Sequence, residues 1–401
     1  VTDVEVVVVG AGPAGSTLAG LLAAEGHRVL VVDRARFPRP KACGECLSPG
    51  SIEALSRMGL LAWIEEASHA TLDGWRLRSP GVDVAARFGA DRHGYGMSRQ
   101  VLDASLLDAA RARGAEVLEE AHVRHAEAAC GLEPPSVTIR TREGASRTLR
   151  ARIVVGADGL RSVVSRSLGL VRRAPRLRKV SLTFHLRVRD RPGPPGSRRQ
   201  GVLDTGDGVT LGLAPIRADA SRWNATLVAD ARRHGRLVAA DPVGFLRRIV
   251  STRTELADWS IEGGPWSSGP FDWPVRWCWA PGVVLVGDAA GYYDPFTGQG
   301  IYRALRSAEL AAPSVIEALR SRSPVWKSLE DYSVAWHRET RTSVWIQRAV
   351  EAVMTRPTVR RTVLRRLVAS GGLAEVIRVT GDIAPPATLL NPRVWLGGLL
   401  H

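Results

Sequence analysis

Val4-Glu5-Val6-Val7-Val8-Val9-Gly10-Ala11-Gly12-Pro13-Ala14-Gly15 is the stretch from which the rest of the chain is read. Val4 to Val9 is a short run with β-branched bias, as expected of a central parallel strand covered on both faces. Three glycines follow, each with its own task. Gly10 permits a tight turn, Gly12 lets the backbone approach a pyrophosphate, and Gly15 lets the next helix pack closely on the strand. Ala14 sits inside this turn, and the helix N-terminus behind it offers unpaired N–H groups and positive partial charge to phosphates.

Taken alone the glycine pattern is weak. With 40 glycines in 401 residues, G-x-G-x-x-G arises by chance roughly 0.4 times per chain. Context strengthens it: a strand precedes it, a helix runs to about Gly26, and a second apolar strand, Arg28 to Val32, leads into Asp33. An acid about 20 residues beyond the glycines is placed to accept hydrogen bonds from a ribose. Asp33 also argues against a 2′-phosphate, because two anions would face each other. Arg34 beside it is a candidate for stacking or pairing nearby.

Composition bounds the remaining possibilities. A 401-residue chain with 45% hydrophobic residues buries a substantial core and divides into two or three domains. The formal charge of +15 is carried almost wholly by arginine, since lysine occurs only at Lys41, Lys179 and Lys327. The arginines are scattered and no nucleic-acid-binding signature accompanies them, so no nucleic-acid partner is expected. Four cysteines do not make a disulfide framework, and neither a leader pattern nor a spanning apolar segment is read. The expectation is a cytoplasmic protein with no obligate protein partner.

Further along, Gly282 to Val286 reads as another buried strand ending in Gly287-Asp288-Ala289-Ala290-Gly291. Asp294-Pro295-Phe296-Thr297-Gly298-Gln299-Gly300-Ile301 then reads as a helix start. A helix N-terminus aimed at the pyrimidine edge of a flavin stabilises the anionic reduced ring, a need that a nicotinamide enzyme does not have. FAD is therefore the expected cofactor. Arg152 to Gly159 is again strand then turn, ending in Asp158-Gly159. Ser98-Arg99-Gln100-Val101-Leu102-Asp103 opens a helix whose Arg99 is a candidate contact for FAD phosphate or flavin edge.

The N-terminal turn, Arg99, Asp158-Gly159 and Gly287-Asp288 occur in the order seen in the flavoprotein aromatic hydroxylases and their relatives, the geranylgeranyl reductases. The chain resembles that superfamily over roughly residues 4 to 310. The loop Lys41-Ala42-Cys43-Gly44-Glu45-Cys46-Leu47-Ser48-Pro49 resembles the reductase branch in particular. That resemblance implies that Ala14, Asp33, Cys43, Gly44, Cys46, Arg99, Val123, Asp288, Gly300 and Ile301 line the FAD. The motif residues Gly10, Gly12, Gly15, Arg34, Asp158, Gly287 and Gly298 complete the candidate set. Cys46 departs from the glycine of the family. Cys43 and Cys46 form a C-x-x-C that reads as flavin packing, as a redox dithiol or as half a zinc site; no second cysteine pair exists, and no metal is expected.

The implied fold class is α/β: a Rossmann-like FAD-binding domain with an inserted mixed β-sheet substrate domain and a C-terminal helical region. The expected segments are 1–70, 98–176 and 271–319 for FAD, 71–97 and 177–270 for substrate, and 320–401 for the helical region. Where geranylgeranyl reductases carry an aromatic strand along the prenyl chain, this chain has Val209-Thr210-Leu211-Gly212-Leu213-Ala214-Pro215. Five of the twelve tryptophans fall between Trp259 and Trp279 and either pack between domains, the favoured reading, or line an aromatic pocket. Val359, Val363, Leu364, Leu367 and Val368 make an apolar helix face flanked by arginines, either a cap or a peripheral membrane contact.

These features point to an FAD-dependent oxidoreductase acting on a bulky apolar or aromatic small molecule, polyketide- or lipid-like, with NAD(P)H as external reductant. The favoured reaction is monooxygenation through a flavin hydroperoxide. The alternatives are a geranylgeranyl-reductase-like reduction of C=C bonds and, from Gly44-Glu45-Cys46-Leu47-Ser48-Pro49, a flavin-dependent halogenation. No catalytic residue is assigned. His185, Asp204, Asp207, Tyr95 and His93 lie in segments expected to face substrate, and a structural role is the favoured reading of each.

Overall fold

The structure, a computed structural model, describes residues 3–189, 199–254, 256, 258–321 and 326–396. The outer ends of the expected segments, residues 1–2 and 397–401, lie outside these.

A run of valines suits a strand covered on both sides, and Val6 to Val9 are at most 3% exposed at the centre of the main sheet. Val4–Val9 pairs parallel with Val29–Val32 on one side and with Ser146–Gly156 on the other. Glu116–Leu118 and Val283–Leu285 extend the parallel set at either end, and Trp279–Ala280 closes one edge antiparallel. Because these strands run the same way, their carboxyl ends, at Gly10, Asp33, Ala157 and Gly287, emerge along one edge, where open α/β sheets bind ligands.

Helices Pro13–Ala24, Arg99–Ala112 and Gly300–Arg320 flank this sheet. Pro13 occupies the first turn of the first helix, where its missing N–H costs nothing. The Ser98 side chain caps the second by accepting from the Val101 N–H. The expected helix start at Asp294 is interrupted: Pro295–Thr297 is a single 3-10 turn, Gly298 is left-handed (φ 70°), and the helix proper begins at Gly300. A left-handed residue cannot continue a right-handed helix, and glycine adopts it without steric cost.

A second, seven-stranded sheet runs in the order Trp259–Ser268, Lys179–Val188, Arg222–Asp230, Val209–Pro215, Gln200–Gly206, Gly74–Ser79, Val82–Arg87. It is mixed, because Gly74–Ser79 joins Gln200–Gly206 in parallel while its other pairings are antiparallel. Leu182, Phe184, Leu186, Ala225 and Leu227 form one buried face, packed with Phe245, Leu246, Ile249 and Val250 of helix Pro242–Arg253. The alternate positions on the same strands point to the other side of the sheet.

Beyond residue 326 the chain is helical: Lys327–Met354, Pro357–Ala369, Leu373–Thr380 and Arg393–Leu396. These helices share a small core of their own around Ile346, Leu367, Val379 and Leu389. Lys179 fastens them to the rest by pairing with both Asp294 and Glu351. Asp382 does the same by accepting hydrogen bonds from Ser48 Oγ and Gln299 Nε2, each 2.6 Å. The whole is the α/β class expected, a Rossmann-like unit carrying a mixed sheet and a helical C-terminal region.

Candidate active site

The dinucleotide turn is shaped by what a side chain would collide with. Gly10 has φ 104°, and a Cβ there would lie 2.5 Å from the Ala157 carbonyl oxygen; at Gly15 it would lie 1.9 Å from the Gly10 oxygen. Only bare backbone allows the helix to sit this close to the strand. Asp33 braces the turn, with Oδ2 accepting from the Ala11 N–H at 2.7 Å and Oδ1 from the Ala35 N–H at 2.8 Å. Each oxygen keeps a lone pair for a ribose hydroxyl.

At Gly12 the nearest atoms to a built Cβ are Nη2 of Arg39 and of Arg99, 3.9 and 4.0 Å away. Arg99 grips Asp103 with Nε and Nη2, both 2.7 Å, and Arg39 Nη1 reaches the same carboxylate at 3.2 Å. Asp103 is fully buried. It holds both guanidinium groups beside the turn yet neutralises only one of them. Lys41 adds a third cation to the cavity wall, its pKa lowered first by burial and then by the charge of Arg99. The cationic excess lies where the pyrophosphate of a dinucleotide belongs.

Asp158 caps helix Val163–Ser167 by accepting from the Val163 N–H at 2.5 Å. Its other oxygen, Oδ1, is buried without a hydrogen-bond partner, between cavity-lining Ala157 and Gly159. Burial raises its pKa, against the opposing hydrogen bonds from Ser162 and Val163. A buried unpaired acceptor calls for a donor that the protein does not supply.

The Cys43–Cys46 loop is held by a polar tile on the second sheet. Thr183 pairs across strands with Thr226, and His185 with Asn224, on the face opposite the apolar core. The Cys43 carbonyl accepts from Asn224 Nδ2 and Thr226 Oγ1, both 2.9 Å, and its N–H donates to Thr183 Oγ1 at 3.0 Å. Glu45, left-handed at φ 56°, turns its carboxylate inward. There it takes the Arg99 N–H at 2.7 Å, Asn224 Nδ2 at 3.0 Å and His185 Nε2 at 2.7 Å. Glu45 and His185 are both nearly inaccessible, so their polar atoms are satisfied by each other and by Asn224 inside the protein. Both cysteines are free and line the cavity. Burial, reinforced by Cys43, pushes the Cys46 thiol well above its ordinary pKa and keeps it protonated.

One continuous cavity joins these parts. Gly12, Ala14, Cys43, Gly44, Cys46, Arg99, Gly287, Asp288, Gly298, Gly300 and Ile301 line one end of it. Leu203, Leu213 and Val228 of the second sheet form a side wall, and Ile346, Val350, Val353, Leu364, Leu367 and Ile377 of the C-terminal helices form the far wall.

The remaining candidates stand apart from this lining. Gly10 and Gly15 are consumed in strand–helix packing, and Asp33 and Asp158 support the wall from behind. Arg34 is exposed, and Val123 packs against the core of the main sheet. Of the two readings of the tryptophan cluster the pocket fails: none of Trp259, Trp266, Trp273, Trp277 or Trp279 lines the cavity, whose tryptophans are Trp75, Trp345 and Trp395. Trp259 and Trp266 lie on an edge strand, which reaches the cavity only through Ser268. The five residues read as structural within the substrate-facing segments are off the wall: Asp204 pairs with Arg253, Asp207 is exposed, Tyr95 bonds to Glu65, His93 contacts Tyr95, and His185 serves the loop. Sequence reasoning missed Arg39, Lys41 and Asp103; the four-residue spacing of Arg99 and Asp103 on a helix was the available signal.

A bare glycine turn, an anion-attracting cluster and the N-terminus of helix Gly300–Arg320 converge on one cavity, with the unpaired carboxylate oxygen of Asp158 buried behind its wall. This donor and acceptor set fits FAD. Residues 3–237 match the FAD binding domain family. The menaquinone reductase of Mycobacterium tuberculosis is 30% identical over 81% of this chain and 79% of its own. Digeranylgeranylglycerophospholipid reductase 1 of Methanopyrus kandleri is 28% identical, covering 94% and 98%. Among solved structures, a geranylgeranyl bacteriochlorophyll reductase-like protein of Thermoplasma acidophilum superposes with a TM-score of 0.79 at 21% identity, covering 98% and 97%, a likeness of fold.

Proposed function

The chain belongs to the FAD binding domain family and is an FAD-dependent oxidoreductase; from that premise we propose that it saturates carbon–carbon double bonds in the isoprenoid chain of a lipid-soluble substrate, with NAD(P)H as the reductant. The observation that carries this reading is the far wall of the cavity. It is built mainly from aliphatic side chains of three C-terminal helices and belongs to the same cavity as the Cys43–Cys46 loop. Such a wall rewards a long flexible hydrocarbon, at about 0.8 kcal/mol per buried CH₂.

FAD held at the glycine turn, Arg99 and Lys41 would, when reduced, supply the hydride that one alkene carbon requires. The protein must then deliver a proton to the other, exclude water and keep the chain in register. Two protonated groups line the cavity for the first task. Cys46 is kept neutral chiefly by burial, and burial, with Asp288 next, raises the Tyr292 hydroxyl well above its usual pKa. The polar tile of Thr183, His185, Asn224 and Thr226 holds the loop bearing Cys46 rigid against the sheet. The helical cap excludes water.

Monooxygenation, favoured by the sequence, draws on the same water-poor cavity. Reduction is preferred because between its tryptophans at the rim the far wall is aliphatic, and because relatives over most of the chain carry reductase names. The test is anaerobic turnover of the NAD(P)H-reduced holoenzyme with menaquinone or a geranylgeranyl-chain lipid, read by mass spectrometry. The expected product has gained two hydrogens. Product formed only in oxygen, and carrying an oxygen atom, would overturn the proposal.

A further inference from the structure

The cavity has a rim. Trp345, Leu390 and Trp395 line it and are also 58%, 53% and 37% exposed, so they bridge its interior and the outer surface. Soluble surfaces seldom spend two tryptophans in this way, whereas the boundary between water and lipid favours them.

The surface around the rim is charged with one sign. Between residues 341 and 396 every exposed ionisable side chain is an arginine, and no aspartate or glutamate is exposed. The acids of this stretch turn inward: Glu351 to Lys179, Asp382 to Ser48 and Gln299, while Glu375 is taken by Arg378. Arg341, Arg356, Arg361, Arg365, Arg366 and Arg393 have no carboxylate partner among the described residues. Spacing places these charges beside apolar groups. Arg341 and Arg348 flank Trp345 at four and three residues on one helix, and Arg361, Arg365 and exposed Val368 share a row on the next. No helix among the described residues is long and apolar enough to cross a membrane, so contact through this surface is peripheral.

We propose that the outer face of residues 341–395, carried on the C-terminal half of helix Lys327–Met354 and on helices Pro357–Ala369 and Arg393–Leu396, docks on an anionic phospholipid surface, with Trp345 and Trp395 entering the headgroup layer and the cavity mouth opening onto the acyl chains. A long-chain substrate then passes from bilayer to cavity without crossing water. The inference takes from the proposed function only that the substrate is long and apolar. It concerns binding and is measured without turnover, so it stands or falls separately from the reaction.

The experiment sediments FAD-loaded protein with vesicles of phosphatidylcholine alone or containing phosphatidylglycerol, with no substrate present. Binding is expected only to the anionic vesicles and weakens as salt rises. Each arginine near such a surface contributes about 1 kcal/mol, or roughly fivefold, so Arg361→Ala with Arg365→Ala lowers the partition coefficient about 25-fold. The paired control, Arg124→Ala with Arg147→Ala on exposed strands of the main sheet's antiparallel extension, leaves it unchanged. FAD content is measured in each variant as a check on folding. Equal binding to neutral vesicles, equal loss in the control pair, or retention by duplex DNA with none by vesicles would overturn the proposal.

Discussion

Asp103→Asn removes a charge and almost no volume, from a site whose consequences can be worked through. Asp103 is fully buried and receives two 2.7 Å bonds from Arg99 and one 3.2 Å contact from Arg39. Breaking a buried ion pair by neutralising one partner costs about 3–5 kcal/mol, because the remaining charge stays in a poor solvent. Unfolding entropy of about 2.1 cal/mol/K per residue gives a chain of this length roughly 0.8 kcal/mol/K, so the FAD-free variant should melt about 4–6 °C below its parent. FAD carries two negative charges in its pyrophosphate, which can pair with the orphaned guanidinium groups. Adding FAD should therefore raise the melting temperature more in the variant than in the parent. Calorimetry of stripped and reconstituted protein measures both. An unchanged melting temperature without FAD, or an equal gain on adding it, would refute the assignment of these arginines to the pyrophosphate.

Gly15→Ala sets a Cβ 1.9 Å from the Gly10 oxygen, which is itself fixed because the Gly10 N–H bonds to Val32; the purified variant should carry no flavin absorbance, whereas Gly44→Ala, with nothing within 4 Å of its Cβ, should melt like the parent. Val353→Trp projects an indole into the aliphatic end of the cavity; flavin occupancy should hold while KM for a long-chain substrate rises about tenfold or more and a short-chain analogue is unaffected. Asp382 has its pKa raised to about 7, chiefly by burial and against the hydrogen bonds from Ser48 and Gln299. The folded state thus favours its neutral form, and the stability it contributes at low pH is lost as pH rises from about 4 through about 7. Asp382→Asn should gain on the parent in urea-melt midpoint over that interval, and a constant difference from pH 5 to 8 would refute it.

Most of the cofactor end was legible because it is local. Gly10, Gly12 and Gly15 act within one turn, and Asp288 and Gly300 follow a recognisable strand within about fifteen residues. Arg39 and Lys41 were not legible, since a cation in a loop gains its meaning only from the Asp103 and Gly12 it meets across the fold. His185 illustrates the same limit. Its alternation with Leu182, Phe184 and Leu186 placed it on the other face of its strand, but the Glu45 carboxylate 140 residues away gives it a task.

Backbone chemistry, then, was determined by the sequence alone: a glycine turn after a valine strand is a short-range steric statement, and together with Arg99, Asp158-Gly159, Gly287-Asp288 and the helix start before Ile301 it sufficed for the fold class and for FAD. The substrate wall was decided only in three dimensions. Apolar faces of helices around Val350, Leu364 and Ile377 read alike whether they pack on one another, on a membrane or around a cavity. Burial against the sheet and the loop selects among these, and burial depends on contacts between residues far apart in the chain, which no local spacing encodes.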